Sequence, residues 1–259
     1  MLFTARTVAI AAALSFTAVF GAGCDLIEAI KGGGKSPTLV QLMVTHHATP
    51  ENGSFPSLSV GDAATFETDE GWTVSLRSAY ITTASASLHE CSGGTVEFDS
   101  FNGPLPENIN DEDLDLFTFA GVEVEASSFC GMTVEYGPFV ADDETARAYD
   151  MGDDANKVRN ATYYFEGVAK KGNVVVDFEL TGDDTVAADL DLSTIMNGGP
   201  VRISTDEAFP VDLTLSKTYD RFFDGVDFSS FDAADMDANI MAVLELETRV
   251  TFGTRVSAE

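Results

Sequence analysis

Three histidines, three cysteines and a large excess of carboxylates are the residues of this 259-residue sequence that could do chemistry. His46 and His47 are adjacent in "MVTHHATP", and His89 lies in "SLHEC". Imidazole nitrogens suit copper, but neighbouring residues on a strand point to opposite faces, so one ion could hold both His46 and His47 only across a bend. Calcium prefers carboxylate and carbonyl oxygens. The run Asp235-Met-Asp237-Ala-Asn239 begins like a calcium loop, then places Ile240 where glycine should turn the chain and Leu246 where a bidentate glutamate should close it. The stretch 142–154, "DDETARAYDMGDD", is a looser acidic alternative. A nucleophilic serine would need a base in a G-x-S-x-G elbow, and a catalytic zinc would need H-E-x-x-H. The sequence holds neither, and no C-x-x-C. The expectation is therefore a protein without enzymatic activity.

Residues 21–36, "GAGCDLIEAIKGGGKS", carry two competing signals. The Gly34-Lys35-Ser36 ending suggests a phosphate loop, but that motif needs glycine where Ala29 stands and a helix where Pro37 follows. The glycine run reads better as a flexible spacer. Before it, residues 1–23 bear one positive charge, Arg6, then an apolar run from Val8 to Phe20 that ends in small residues. That is the layout of a secretory signal peptide, too short for a comfortable membrane span. The junction Gly21-Ala22-Gly23-Cys24 resembles the lipobox of bacterial lipoproteins, departing from it at Gly21, where leucine is usual. The resemblance implies a diacylglycerol on the Cys24 thiol, and two acyl chains suffice for stable anchoring.

Cysteine usage agrees with such a tether. An odd count in an exported protein needs an explanation. With Cys24 lipidated, Cys91 and Cys130 remain as one possible disulfide, which an oxidising compartment allows. Removing residues 1–23 leaves 13 basic against 43 acidic residues, a net charge of −30. Such a surface repels nucleic acid and anionic headgroups, so membrane contact must come through the lipid. Solubility or a salty medium accounts for the charge without any acidic site.

These residues must be positioned by strands. Val122 and Val124 alternate with glutamates, as do Met132, Val134 and Tyr136 with polar residues. The pattern recurs at Val174, Val176, Phe178 and Leu180, and again at Val211, Leu213 and Leu215. Period two means a sheet with one buried face and one wet face. Clusters such as "NGPLPENIN" and "TGDD" read as turns. The late stretch "DAADMDANIMAVLELETRV", residues 232–250, breaks the pattern. Its leading acids suit a helix N-terminus, and Met236, Ile240, Val243 and Leu244 recur at helical spacing. It predicts a helix of about three turns followed by a short last strand from Arg249. The fold expected is all-β, an antiparallel β-sandwich with one short C-terminal helix. The domain plan is a signal peptide over 1–23, a lipidated N-terminus and spacer over 24–37, and a single sandwich over 38–259.

Four patches, "DEGWTVSLRSAYI", "SLHEC", "FCGMTVEYGPF" and "FFDGVDF" with the acidic helix after it, resemble exported lipoproteins of myxobacteria and their relatives. More remotely, they resemble the periplasmic copper-binding proteins associated with methanobactin systems, in which histidines and a modified tryptophan form the metal site. What that resemblance implies here is a copper role for Trp72, otherwise a core residue, with His46, His47 or His89. The functional expectation is a lipid-anchored envelope protein acting as a binding or structural module, its protein partner unspecified. Metal binding, of copper or of calcium through the acidic loops, is the alternative. The long spacer and acidic domain favour the outer membrane or cell surface over the inner membrane.

Overall fold

The computed structural model describes residues 36–50, 63–140, 143–149, 151–205, 210–230 and 232–254. The expected signal peptide over 1–23, Cys24 and the expected spacer up to residue 35 lie outside the described residues. Fourteen strands occur among the described residues. They are β1 (Thr38–His47), β2 (Ala64–Glu67), β3 (Thr73–Glu90), β4 (Thr95–Glu97), β5 (Asp99–Ser100), β6 (Leu105–Asn108) and β7 (Phe117–Val124), then β8 (Ser127–Tyr136), β9 (Tyr163–Lys171), β10 (Val174–Gly182), β11 (Val186–Asp191), β12 (Val201–Ile203), β13 (Val211–Thr218) and β14 (Arg249–Thr254). Helices α1 (Asp143–Ala148) and α2 (Ala155–Val158) are short, and α3 (Ala233–Glu247) spans fifteen residues.

The strands form two sheets. One runs β14-β13-β1-β7-β5, and the other runs β10-β9-β3-β8-β11, with β2, β4 and β6 added along β3 and β12 along β8. Pairing is antiparallel except between β1 and β13, which are parallel. The expected sandwich with its C-terminal helix is therefore present, with one parallel pair inside it. Alternation explains the facing: Met132, Val134 and Tyr136 on β8 are buried, as are Val211, Leu213 and Leu215 on β13. Between the sheets lies a core rich in rings, where Trp72, Phe165, Phe222 and Phe223 are at most 1% exposed. Phe223 and Phe228 stack, and Phe228 meets the Trp72 ring edge-on at 5.5 Å. Such ring pairs add to the stabilisation from their buried area.

Helix α3 begins where Asp232 accepts a hydrogen bond from the Ala234 N–H at 2.8 Å, satisfying one of the donors a helix start leaves open. It buries Met236, Ile240 and Leu244 on the core, with Val243 half-buried beside them. At 3.6 residues per turn it makes about four turns rather than three. The same helix absorbs Asp235, Asp237 and Asn239, so the run that starts like a calcium loop is not a loop.

Cys91 and Cys130 form a disulfide, with Cα atoms 5.0 Å apart. It fastens the turn after β3 to β8, a pair already hydrogen-bonded along its length. One segment departs from its expected turn. "NGPLPENIN" turns at Gly103, then enters β6, whose Leu105, Pro106 and Glu107 are all buried. Pro106 is accommodated because β6 pairs only with β3, and an edge strand can lack a donor on its free side.

Candidate functional site

The parallel register of β1 and β13 matches Val40 with Val211, Leu42 with Leu213, Val44 with Leu215 and His46 with Lys217. Three apolar rungs thus end in a charged one, because period two carries His46 and Lys217 to the same inner face. Opposite them, β6 of the other sheet supplies Glu107. His46 Nδ1 lies 2.9 Å from Glu107 Oε1, and Lys217 Nζ lies 2.5 Å from Oε2, with none of the three side chains more than 1% exposed. The two sheets are therefore clamped by a buried carboxylate between two cationic groups. The lysine contact is a close ion pair. Lys217 also lies over the Tyr136 ring at 5.7 Å, and Tyr136 hydrogen-bonds through its hydroxyl to Thr248 at 2.9 Å.

His46 has an acceptor at each ring nitrogen, Glu107 on one side and the Asp111 carbonyl at 3.3 Å on the other. Only the doubly protonated imidazolium can donate to both. Burial opposes that charge, but the hydrogen bond and charge of Glu107 outweigh it, holding the His46 pKa above its ordinary value. For Glu107, burial favours the neutral acid, yet Lys217 and then His46 hold its pKa well below the usual carboxylate range. A raised histidine pKa gives stability that is complete below its unfolded value of 6.5 and is lost as pH rises through the higher folded value. A lowered glutamate pKa gives stability that is complete above its unfolded value of 4.5 and is lost as pH falls through the lower folded value. The stability difference between the wild type and His46→Gln, measured by urea unfolding, should accordingly be largest in mildly acidic solution and shrink as the solution becomes alkaline. A difference that does not change with pH would mean that folding leaves the His46 pKa unshifted, and one that grows as the solution becomes alkaline would mean that His46 is neutral in the folded state.

Glu107 also lines a cleft of about 360 Å³, walled by Leu105, Pro106, Phe117, Tyr149 and Met151. A second cleft of about 380 Å³ adjoins it, with Arg77, Ser78, Asn110 and Asp154 in its walls. Tyr80, Asn108 and Asp111 line both, forming a shared waist. The Asn108 amide donates to Asp111 Oδ1 at 3.0 Å. Burial is the main cause of the raised Asp111 pKa. In the second cleft, Ser78 donates to Asp154 at 2.7 Å, while Arg77 pairs with Asp177 and with Glu166. A separate acidic cleft of about 380 Å³ lies at the start of α3, lined by Asp224, Asp227, Asp232 and Asp235. There Asp232 is occupied as the helix cap and Asp224 pairs with Arg221 at 2.7 Å.

The metal candidates are distributed over the fold. His46 is in the clamp. His47 is half-buried, with Nδ1 placed 2.8 Å from the Ala48 carbonyl. His89 contacts Thr133 at 2.7 Å near the end of β3, while Trp72 precedes the start of that eighteen-residue strand and packs on Phe228. Among the described residues, no group of three or more histidine, cysteine or acidic side chains is placed to hold one metal ion.

Sequence reasoning missed Glu107 and Lys217. Lys217 had a usable signal, since it continues the Val211, Leu213, Leu215 alternation by one step. Glu107 had none, because it stands among turn-forming residues and is one of 43 acids.

No family model and no curated protein matches the sequence. Among solved structures, MbnP from Methylosinus trichosporium is similar at 10% sequence identity and a TM-score of 0.41, over 77% of this chain and 79% of that one.

Proposed function

We propose that this chain is a lipid-anchored, extracytoplasmic binding module without enzymatic activity, held to the envelope by Cys24 and taking a small ligand in the cleft above the clamp. The observation that carries the binding reading is that cleft. It has the size of a small-molecule site, aromatic and aliphatic walls, and a few polar groups converging at the Asn108–Asp111 waist. The clamp behind it ties both sheets together, which favours a rigid, preformed site. The Cys91–Cys130 bridge supports an oxidising compartment, and it leaves Cys24 as the remaining cysteine for lipid. The acidic surface leaves that lipid as the means of membrane contact, at the outer membrane or cell surface.

Intact mass spectrometry of the protein extracted from its native membrane tests the anchor. The expected result is a chain beginning at Cys24 with a diacylglycerol-sized increment, absent from a Cys24→Ala variant. An unmodified chain beginning near Cys24 would make the protein a soluble exported one and overturn the anchoring.

A further inference from the structure

The cleft joins two features that together specify a ligand charge. Its first lobe is lined by the aromatic residues Tyr80, Phe117 and Tyr149 together with Met151. Its waist offers the carboxylate of Asp111, partly exposed and steadied by the Asn108 amide. Aromatic faces beside a carboxylate attract an ammonium group through the ring quadrupole and through ordinary charge pairing.

The cationic side chains nearby are not offered in return. His46 and Lys217 lie behind Glu107, at most 1% exposed, and cannot touch a ligand in the cleft. Arg77, in the second lobe, is engaged by Asp177 and Glu166. Among the described residues lining the two lobes, Arg77 is the cation and is already held by two carboxylates, so an anionic ligand would meet Asp111 without a free counter-charge there. A net charge of −29 over the chain raises the local concentration of cations further.

We propose that the cleft binds a small amphiphilic organic cation, its apolar arm among Phe117, Tyr149 and Met151 and its ammonium group on Asp111 at the waist. The second lobe, with Ser78, Asn110 and Asp154, then accommodates hydrogen-bonding substituents beyond the ammonium. This assignment rests on the binding reading above and deepens it by naming the ligand class.

Calorimetric titration of the full chain with three probes of one shape tests it: 2-phenylethylammonium, 2-phenylethanol and 3-phenylpropanoate. The ammonium should bind saturably, and the alcohol and carboxylate should bind about tenfold more weakly or worse, the loss expected for one charge-assisted hydrogen bond. Asp111→Asn, which keeps the shape of the waist, should weaken the ammonium by a similar factor. Asp227→Asn, which removes the same charge in the distant α3 cleft, should leave binding unchanged. Equal binding of ammonium and alcohol, insensitive to Asp111→Asn, would overturn the cationic class while leaving a small-molecule cleft in place. Preference for the carboxylate would also overturn it. Equal weakening by both variants would show a general field effect and overturn the assignment to Asp111. Saturable binding of none of the three probes would overturn both the ligand class and the binding reading.

Discussion

Replacing Glu107 with alanine is expected to destabilise the fold by about 3–5 kcal/mol, because it leaves Lys217 and a protonated His46 buried without their counter-charge. For a domain of this size, each kcal/mol corresponds to roughly 2–4 °C in Tm, so the midpoint should fall by about 6–20 °C. The penalty comes from the orphaned cations rather than from the pair's own strength, since a buried ion pair roughly breaks even against an apolar replacement. A rescue follows from that argument. Adding Lys217→Met to the Glu107→Ala chain removes one orphaned charge and keeps an unbranched side chain in its place, so it should recover a substantial part of the loss. Urea midpoints of the single and double variants decide the matter. If Glu107→Ala costs less than about 1 kcal/mol, water reaches the clamp in the folded protein and the two sheets are not held by buried charge.

Loss of the disulfide should have the next largest effect. Cys91 and Cys130 are separated by 39 positions, and the chain-entropy model assigns a loop of that length about 4 kcal/mol, within the usual 2–5 kcal/mol for removing a native bridge. Strands β3 and β8 already pair beside it, so the bridge adds little contact to the folded state. Its effect lies in the unfolded chain, which it keeps compact. Urea unfolding of a Cys91→Ala, Cys130→Ala variant should therefore show a lower midpoint together with a steeper denaturant dependence, because the open chain exposes more surface. Unfolding curves that superimpose on the wild type would mean that the two thiols are unbridged in the protein as isolated.

Several local readings match the structure, although Val174, placed by the period-two alternation, is exposed. Helix α3 is written in its own residues: an acid to cap it at Asp232, then Met236, Ile240 and Leu244 at one-turn spacing. Burial of Val211, Leu213 and Leu215 follows from period two, as does burial of Met132, Val134 and Tyr136. The Cys91–Cys130 pairing followed from cysteine arithmetic, which needs no geometry. Errors appeared where a local signal was outweighed by a distant partner. Turn-forming residues around Pro106 concealed β6, which exists because Leu105–Asn108 pairs with residues 80–83 of β3.

The sequence by itself determined the alternation of β8 and β13, helix α3, the bridge and the acidic balance, because each depends on residue type and on neighbours a few positions away. Only the tertiary structure decided that His46, Glu107 and Lys217 meet, and that Asp111 stands at the waist of a cleft. His46 and Glu107 are 61 positions apart, on strands of different sheets. A carboxylate carries no local mark of the cation it will face, since that is fixed by strand register and by which sheet covers which. Forty-three acids look alike along the chain, and packing alone singles out the one buried between two positive charges.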